Sequence, residues 1–522
     1  MHEIITLQLG QQSNYLATHF WNAQESYFTY AEDEESAIDH DVHWRPGLGA
    51  DGSETFMPRT VIYDLKGGFG SLKRINALYD IQDDDPAKSS SLWGGQAVVQ
   101  KAEPIEPSAY QKSLDAGLEP PKLTTESVRY WSDFNRVFYH PRSIVQLNEY
   151  DLNSSIAPFE RWESGEELFA DLDKEHDLVD RDLRPFAEEA DHMQGIQIMT
   201  SLDDAWGGFA SRYIEKLRDE YGKTTIWVWG LQDGFQGVNR DKRLLRLVNK
   251  AKSLTEIYKQ ASLLIPIAIP SSFSPRLRNV LSLDISSAWH TSALLSAAIE
   301  SATLPSRLKD ATNRGTLGNM TDMLNLHGKQ TVANLQMSFS GAGDKPHSED
   351  VGDDPKDGLR LDLDLRPADD LGNGPKQNGY HRTPKIFSQV LACRGERAGD
   401  KEEDEQEEQE EDDRLRRRGG SEAISRKYRS TLSYPLPDSF PQIFRDGQGE
   451  NGESECLKGG GAAVMTSLST DAALSGRLKS LRSTVTRLIG VEDRETLSNE
   501  LAEMADEYHE GWSSGSDSGE DD

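Results

Sequence analysis

The sequence predicts an α/β fold with a mostly parallel sheet, because strand, loop and helix patterns alternate along the chain. Residues 4–9 alternate as a β-strand does, end at Gly10, and lead into a segment with apolar residues at helical spacing. Residues 60–65 repeat this order, since they run into a glycine-rich loop and then a second helical pattern. The chain therefore begins with two βα units.

The alternation continues further along the chain. Residues 194–200 form a compact apolar strand pattern, and the helical pattern after them ends at Gly222. Residues 224–230 are aromatic and β-branched, which is typical of a buried strand, and residues 286–303 return to helical spacing. Because parallel strands need helical crossovers, this order favours a parallel sheet covered by helices.

Composition excludes several classes of protein. The 522 residues include 57 basic and 89 acidic side chains, a net charge of -32, so we expect no direct binding of nucleic acid through phosphate attraction. The only two cysteines, Cys393 and Cys456, stand in polar surroundings without a metal-ligand spacing, which excludes a disulfide scaffold or a structural zinc site.

The sequence also makes predictions about membranes and targeting. The longest strongly apolar run, residues 261–270, contains two prolines and is about half the length needed to span a bilayer. The first basic residue, Arg45, follows eight acidic residues, whereas import and secretory signals begin with basic residues. We therefore expect neither a transmembrane segment nor a cleavable N-terminal address.

Composition changes divide the chain into regions. We predict a first domain over residues 1–305 with a loop-rich insertion at 81–125, and a second α/β domain over residues 306–463. We further predict disordered acidic insertions at 341–378 and 400–420, a core strand at 385–391 between them, C-terminal helices at 464–510 and an acidic tail at 511–522. The acidic segments are either solvated disorder or interaction tails.

The loops after the strands carry the candidate site. Gly10, Gln11 and Gln12 follow the first strand, where backbone N–H groups and a helix N-terminus can hold a phosphate. A plain strand-to-helix turn is the alternative interpretation of these three residues alone. Asp64 lies at the end of the second predicted strand, and Gly67 lies in the loop that follows it.

The first 21 residues, MHEIITLQLGQQSNYLATHFW, resemble the start of tubulins without a gap. Residues 61–68 (VIYDLKGG) and 201–221 are similar to two further tubulin loops that face the nucleotide phosphates. Residues 134–147 and 285–305 resemble the Misato family of tubulin-like proteins, in its fungal branch. The resemblance implies a tubulin/FtsZ-like fold with a Rossmann-like N-terminal domain, a smaller α/β domain and C-terminal helices.

The resemblance also implies a nucleotide-type site, which is degenerate here. Its candidate residues are Gly10, Gln11, Gln12, Asp64, Gly67, Gly207 and Gly208. Asp203, Asp204 and Trp206 stand where tubulins have a glycine-rich phosphate loop, and Lys66 stands where they have a glutamate beside magnesium. At an effective dielectric constant of about 20, a carboxylate about 4 Å from a phosphate charge is repelled by about 4 kcal/mol.

A further departure lies in the segment that supplies a catalytic acid in tubulins, because the Asn319 to Asp322 spacing is off by one residue. We therefore expect a protein that is not an enzyme and has no cofactor or metal, with GTP binding doubtful.

The Misato resemblance implies a role in partitioning the mitochondrial organelle and its DNA, and in mitochondrial distribution and morphology. It also implies a peripheral location on the cytosolic face of mitochondria, with a cytoplasmic pool, and cytoskeletal or mitochondrial surface proteins as partners. Two alternatives remain open: a GTP-binding, polymerising or switch-type GTPase, and an assembly or chaperone cofactor of the cytoskeleton.

Overall fold

The computed structural model of the chain describes most of the predicted elements. The described residues are 2–29, 36–48, 54–72, 105–234, 237–326, 328–339, 359–366, 385–395, 423–445, 457–458, 461–488 and 490–509. The strands are β1 (Glu3–Leu9), β2 (Trp44–Leu48), β3 (Glu54–Pro58), β4 (Thr60–Lys66), β5 (Ile144–Asp151), β6 (Met193–Ser201), β7 (Thr225–Leu231), β8 (Leu263–Ile267), β9 (Asn334–Phe339), β10 (Arg360–Asp362), β11 (Ile386–Arg394), β12 (Ile424–Ser430), β13 (Tyr434–Pro435), β14 (Leu457–Lys458), β15 (Gly461–Ala462) and β16 (Val464–Asp471). The α-helices are α1 (Gln11–Glu25), α2 (Ala109–Asp115), α3 (Trp162–His176), α4 (Arg184–Glu188), α5 (Ala205–Glu220), α6 (Arg240–Gln260), α7 (Pro275–Val280), α8 (Ala288–Thr303), α9 (Leu317–Leu324), α10 (Ala473–Val485) and α11 (Val491–Asp506).

Six parallel strands form the first sheet, in the order β5-β4-β1-β6-β7-β8. β1 lies inside this sheet, where Leu7 is opposite Val61 of β4 and Ile198 of β6. All seven residues of β1 are buried, because helices cover both faces of a parallel sheet. The predicted α/β class with a mostly parallel sheet is therefore confirmed.

The side chains of β7 show how the two faces of this sheet are covered. Trp227 and Trp229 belong to the hydrophobic cluster that contains the apolar faces of α1 and α8. Ile226 and Val228 point to the other face, where they join the cluster formed with α5 and α6. The carboxyl ends of the strands thus open between two helical layers.

A second, mixed sheet has the order β10-β9-β16-β11-β12. β11 and β12 are parallel, whereas the other neighbours are antiparallel. β11 contains most of the core strand predicted at 385–391, and its Val390 and Cys393 are buried. The structure corrects the start of the predicted C-terminal helices, because residues 464–471 are β16 inside this sheet. Their β-branched and apolar side chains pair with two neighbouring strands.

The structure also corrects part of the disordered insertion predicted at 341–378. Residues 359–366 within it are ordered, and β10 pairs with β9 at the edge of the second sheet. Leu361, Leu363 and Leu365 alternate along this segment and are all buried. These leucines occupy every second position, so all three point to the same side of the strand. Their burial helps to offset the conformational entropy that is lost when this segment becomes ordered.

Two C-terminal helices, α10 and α11, pack against the first domain. Leu474, Leu478 and Leu501 join the same hydrophobic cluster as α5 and α6. Tyr508, two residues after the end of α11, donates its hydroxyl proton to Val332 O at 3.0 Å and accepts from Val332 N at 2.7 Å. Among the described residues, no helix combines the length and apolar character that crossing a membrane would require.

The remaining predicted insertions are described in part or not at all. The segment predicted as a loop-rich insertion, 81–125, is described from residue 105 onward and contains α2. Tyr110 of α2 is buried, and its hydroxyl donates to Asp438 Oδ1 at 2.9 Å. The predicted insertion 400–420 and the predicted tail 511–522 lie outside the described residues.

Candidate functional site

Asp64, at the end of β4, points inward and is fully buried. Its Oδ2 accepts hydrogen bonds from Gln11 Nε2 at 2.6 Å, Asn14 Nδ2 at 2.7 Å and Trp131 Nε1 at 3.2 Å. Its Oδ1 accepts from Leu65 N at 2.8 Å. Burial raises the pKa of Asp64 to about 7, against the lowering effect of these donors. The Asp64 carboxyl, which was predicted to face phosphates, instead links the end of β4 to the start of α1 through hydrogen bonds.

Gly10 is covered by an indole. It has a positive φ of 86°, which ordinary side chains avoid, and it forms the turn from β1 into α1. A methyl group added at Gly10 would lie 2.4 Å from Trp206 Nε1. Trp206 is 5% exposed and its ring also packs against Phe159 and Phe209. The space above the first loop, where an anion would meet backbone N–H groups, is therefore filled by a side chain.

Gly207 and Gly208 lie inside α5 and serve its packing. A methyl group at Gly207 would lie 2.1 Å from Ser253 Oγ of α6, and one at Gly208 would lie 2.0 Å from Trp162 O of α3. Both glycines therefore permit close approach of neighbouring helices. The surfaces that these two glycines leave open face α6 and α3, and neither glycine is among the described lining residues of the pocket beside Gly10.

Gly67 and Lys66 lie at the outer end of the second loop. Gly67 has a φ of 87° and is exposed, and apart from its chain neighbours no described atom lies within 4 Å of an added methyl group. Lys66 Nζ lies 3.0 Å from Asp151 Oδ1, and both side chains are more than half exposed. Gly67 is thus a solvent-facing turn residue, and Lys66 neutralises a carboxylate of its neighbour β5.

Three aspartates follow β6 and β7 at the same edge of the sheet. Asp204 caps α5, since its Oδ1 accepts from Trp206 N at 2.8 Å. Asp203 Oδ2 accepts from Asp233 N at 3.0 Å, and its Oδ1 accepts from Ser201 Oγ at 3.0 Å. Burial and then the Asp203 charge raise the pKa of Asp204 to about 7 and that of Asp233 to about 6. The carboxylates of Asp203, Asp204 and Asp233 therefore disfavour further negative charge at this edge of the sheet.

A small pocket of about 170 Å³ remains beside Gly10. Gln11 and Gln12 line it together with three carboxyl side chains, which belong to Asp151, Glu160 and Asp204. No lysine or arginine is among its described lining residues. The pocket does not fit a nucleoside triphosphate with magnesium, because an indole fills its inner end and its remaining wall is acidic.

The segment predicted to carry a catalytic acid forms α9. Thr316 caps this helix, and Thr321 Oγ1 accepts a hydrogen bond from Trp227 Nε1 at 2.7 Å. Asp322 is exposed on the helix surface. Asn319 and Asp322 thus lie on a helix that contacts the amino ends of β6 and β7, and they do not line the small pocket.

A larger cleft of about 750 Å³ lies next to the small pocket and shares Gln12 with it. Its walls come from α1, α6, α8 and the loops after β7 and β8. The sequence reasoning missed this cleft. Arg243 and Arg246, at adjacent turns of the helix that follows a buried strand, were the signal that could have indicated it.

Comparison with known families defines the class of protein. Residues 120–308 match the family model described as Tubulin domain. Residues 2–116 match the family model described as Misato Segment II tubulin-like domain. These matches, together with the parallel sheet and its covering helices, define a tubulin-like protein.

Full-length relatives narrow the class further. The chain is 58% identical to Protein dml-1 of Neurospora crassa and 48% identical to Protein DML1 of Gibberella zeae, with complete coverage of both chains in each pair. It is 33% identical to Protein dml1 of Schizosaccharomyces pombe over 59% of this chain and 66% of that protein. The chain therefore belongs to the Misato family of tubulin-like proteins, with the fungal DML1 proteins among its relatives.

Proposed function

We propose that this chain is a non-catalytic tubulin-like protein that acts in partitioning the mitochondrial organelle and its DNA, and in mitochondrial distribution and morphology. The mitochondrial part rests on what membership of the Misato family implies. The non-catalytic part rests on one observation above all, the contact of the Trp206 indole with Gly10. A tubulin-like enzyme would need the backbone of that loop to face the phosphates of its substrate.

The charges around the small pocket support the same proposal. Phosphoryl transfer depends on positioning and on neutralising the charge of the phosphates. Asp204 and Glu160 place carboxyl groups at the wall of the pocket, while Asp64 is enclosed by its four donors. Lys66 is paired with Asp151 on the surface. These residues support a protein that keeps the tubulin-like fold but does not hydrolyse GTP.

Purified full-length protein provides the first test. We expect no GTP hydrolysis above the buffer rate and no saturable GTP binding at micromolar concentrations, measured by phosphate release and equilibrium dialysis with magnesium present. Tubulin treated identically is the positive control. Turnover that is lost when Gln11 is replaced by alanine would establish the GTPase alternative in place of this proposal.

A second test concerns location and partners. We propose that the protein associates peripherally with the cytosolic face of mitochondria, through cytoskeletal or mitochondrial surface proteins, and that a cytoplasmic pool exists. A tagged full-length chain in fungal cells should sediment with mitochondria, be digested by protease added to intact organelles, and be released by carbonate. Protection from that protease would contradict this location.

A further inference from the structure

The cleft beside α6 has the size and lining of a small-molecule site. Its volume of about 750 Å³ falls within the range of ligand pockets, roughly 300–1,000 Å³. It opens at the carboxyl ends of β7 and β8, which is the edge where open parallel sheets bind ligands. The small pocket cannot supply this space, because Trp206 closes the inner end of that pocket.

The inner walls of the cleft are apolar. Leu16 of α1, Leu231 of β7 and Leu295 of α8 line it and are buried or nearly so. Ile269, after β8, lines the wall between the last two strands and α8. An apolar body placed among these side chains would be removed from water, and this burial would favour binding.

The rim of the cleft carries an excess of positive charge. Arg243, Arg246 and Arg366 line it, against one carboxyl, that of Asp233. Arg246 is engaged, since its Nη2 donates to Asp233 Oδ2 at 2.8 Å and its Nη1 donates to Gly234 O at 2.9 Å. Because Arg246 is paired with Asp233, the guanidinium of Arg243 adds a positive charge at the mouth of an apolar space.

Arg243 has donors that are free among the described residues. Its Nε donates to Val238 O at 2.8 Å, which holds the guanidinium in place. Its two Nη atoms have no hydrogen-bond partner within the part of the chain that the structure describes. A guanidinium held at Nε and open at both Nη atoms presents the planar fork that binds carboxylate and phosphate oxygens.

We propose that this cleft binds a small amphipathic anion, with its apolar body among Leu16, Leu231 and Leu295 and its single carboxylate, sulfonate or phosphomonoester head on Arg243. A triphosphate is the wrong shape, because the path towards Gly10 ends at Trp206 and at the carboxyls of the small pocket. The apolar body is an acyl chain or an aromatic ring system. This inference does not depend on the mitochondrial role or on the absence of GTP hydrolysis.

Fluorescence titration of the full-length protein with 8-anilinonaphthalene-1-sulfonate tests the site. We expect saturable binding of one probe per chain. Arg243→Gln should weaken it about tenfold, since one charge-assisted hydrogen-bonding partner is lost. Arg240→Gln is the matched control: Arg240 starts the same helix, is exposed and lies outside the cleft, so affinity should stay within about twofold of the original protein.

A variant that fills the cleft and a competing ligand test the location of the probe and the nature of the apolar body. Thr291→Trp, which fills the cleft from α8, should abolish probe binding in protein whose thermal unfolding is unchanged. Decanoate as competitor separates the two bodies: displacement assigns an acyl body, and saturable probe binding that decanoate does not displace assigns an aromatic one. Equal affinities for Arg243→Gln and Arg240→Gln, absence of saturable binding, or displacement by GTP at lower concentration than decanoate would overturn the proposal.

Discussion

The small pocket beside Gly10 and the cleft beside Arg243 lie at one edge of the same parallel sheet but have opposite properties. Trp206 fills the inner end of the pocket, and the remaining wall is acidic. The cleft is several times larger, apolar inside and basic at its rim. Both meet at Gln12. The strands that support both regions are alike, so the difference comes from the loops and helix starts that follow them.

This difference shows how one part of a tubulin-like site can close while its neighbour stays open. A parallel sheet fixes where loops emerge, whereas each loop sets its own charge and volume. Trp206 and Asp204 occupy the start of one helix, and Arg243 and Arg246 occupy the first turns of the next helix in the chain. Closure of the pocket beside Gly10 therefore leaves the neighbouring cleft open.

Removing the indole should have the largest effect. Trp206→Ala leaves a cavity among Phe159, Phe209 and Gly10, so we expect the free energy of unfolding to fall by about 3–5 kcal/mol. Denaturant titration measures this. Phe138→Ala is the control, because Phe138 is 50% exposed and its loss should cost far less. Comparable losses in the two variants would mean that the indole does not fill the pocket tightly.

The same variant also tests which groups keep GTP out of the pocket. We expect Trp206→Ala to gain no GTP binding, since the carboxyls of Asp204 and Glu160 remain at the wall of the pocket. Equilibrium dialysis at the same protein concentration as the original chain is the measurement. Micromolar GTP affinity in this variant would show that the indole alone closes the site.

Adding a methyl group at a packing glycine should have the next largest effect. Gly208→Ala forces α5 away from Trp162 O, which the new Cβ would approach to 2.0 Å, and should lower the free energy of unfolding by about 1–3 kcal/mol. Gly222→Ala is the matched change, because its nearest neighbour would be 3.6 Å away. A neutral result for Gly208→Ala would support a loop role for this glycine instead of a packing role.

The pH dependence of stability tests the acidic wall. Asp204 has a pKa raised to about 7 in the folded state, so the folded protein binds more protons than the unfolded chain between about pH 4 and pH 7. Its contribution to stability is therefore present at low pH and lost as pH rises through about 7. Asp204→Asn keeps a capping side chain on α5 but removes the titration.

Unfolding measured from pH 4.5 to pH 8 should accordingly show a smaller fall in stability for Asp204→Asn than for the original chain. Asp322→Asn, an exposed change on α9, should leave the pH profile as it was. Parallel profiles for the original chain and Asp204→Asn would indicate that other groups dominate the slope.

The smallest effect is expected at the surface of the second loop. Lys66→Ala removes the ion pair with Asp151, in which both side chains are more than half exposed, so the free energy of unfolding should change by less than about 1 kcal/mol. The change should also leave GTP binding undetectable. A large loss of stability would show that this pair holds β4 against β5 more firmly than its exposure suggests.

The sequence determined several elements of the first domain, whereas β5, α3, α6 and β8 were not predicted. Alternation before Gly10, the continuous apolar run that became β7, and the helical spacing that became α8 are local patterns, and neighbouring side chains produce them. The tubulin-like class also followed from the sequence, because the phosphate-facing loops keep their order even where their residues have changed. The sequence alone also showed that Trp206 stands where tubulins have a glycine-rich loop.

Tertiary structure decided what those residues do. Gly207 and Gly208 belong to helix packing because α6 and α3 approach them, and Asp64 is buried because donors from α1 and from Trp131 converge on it. Residues 464–471 became a strand only because β9 and β11 pair with both of their edges. Each of these roles depends on contacts with residues that are distant in the chain, and such contacts cannot be predicted from the local sequence pattern.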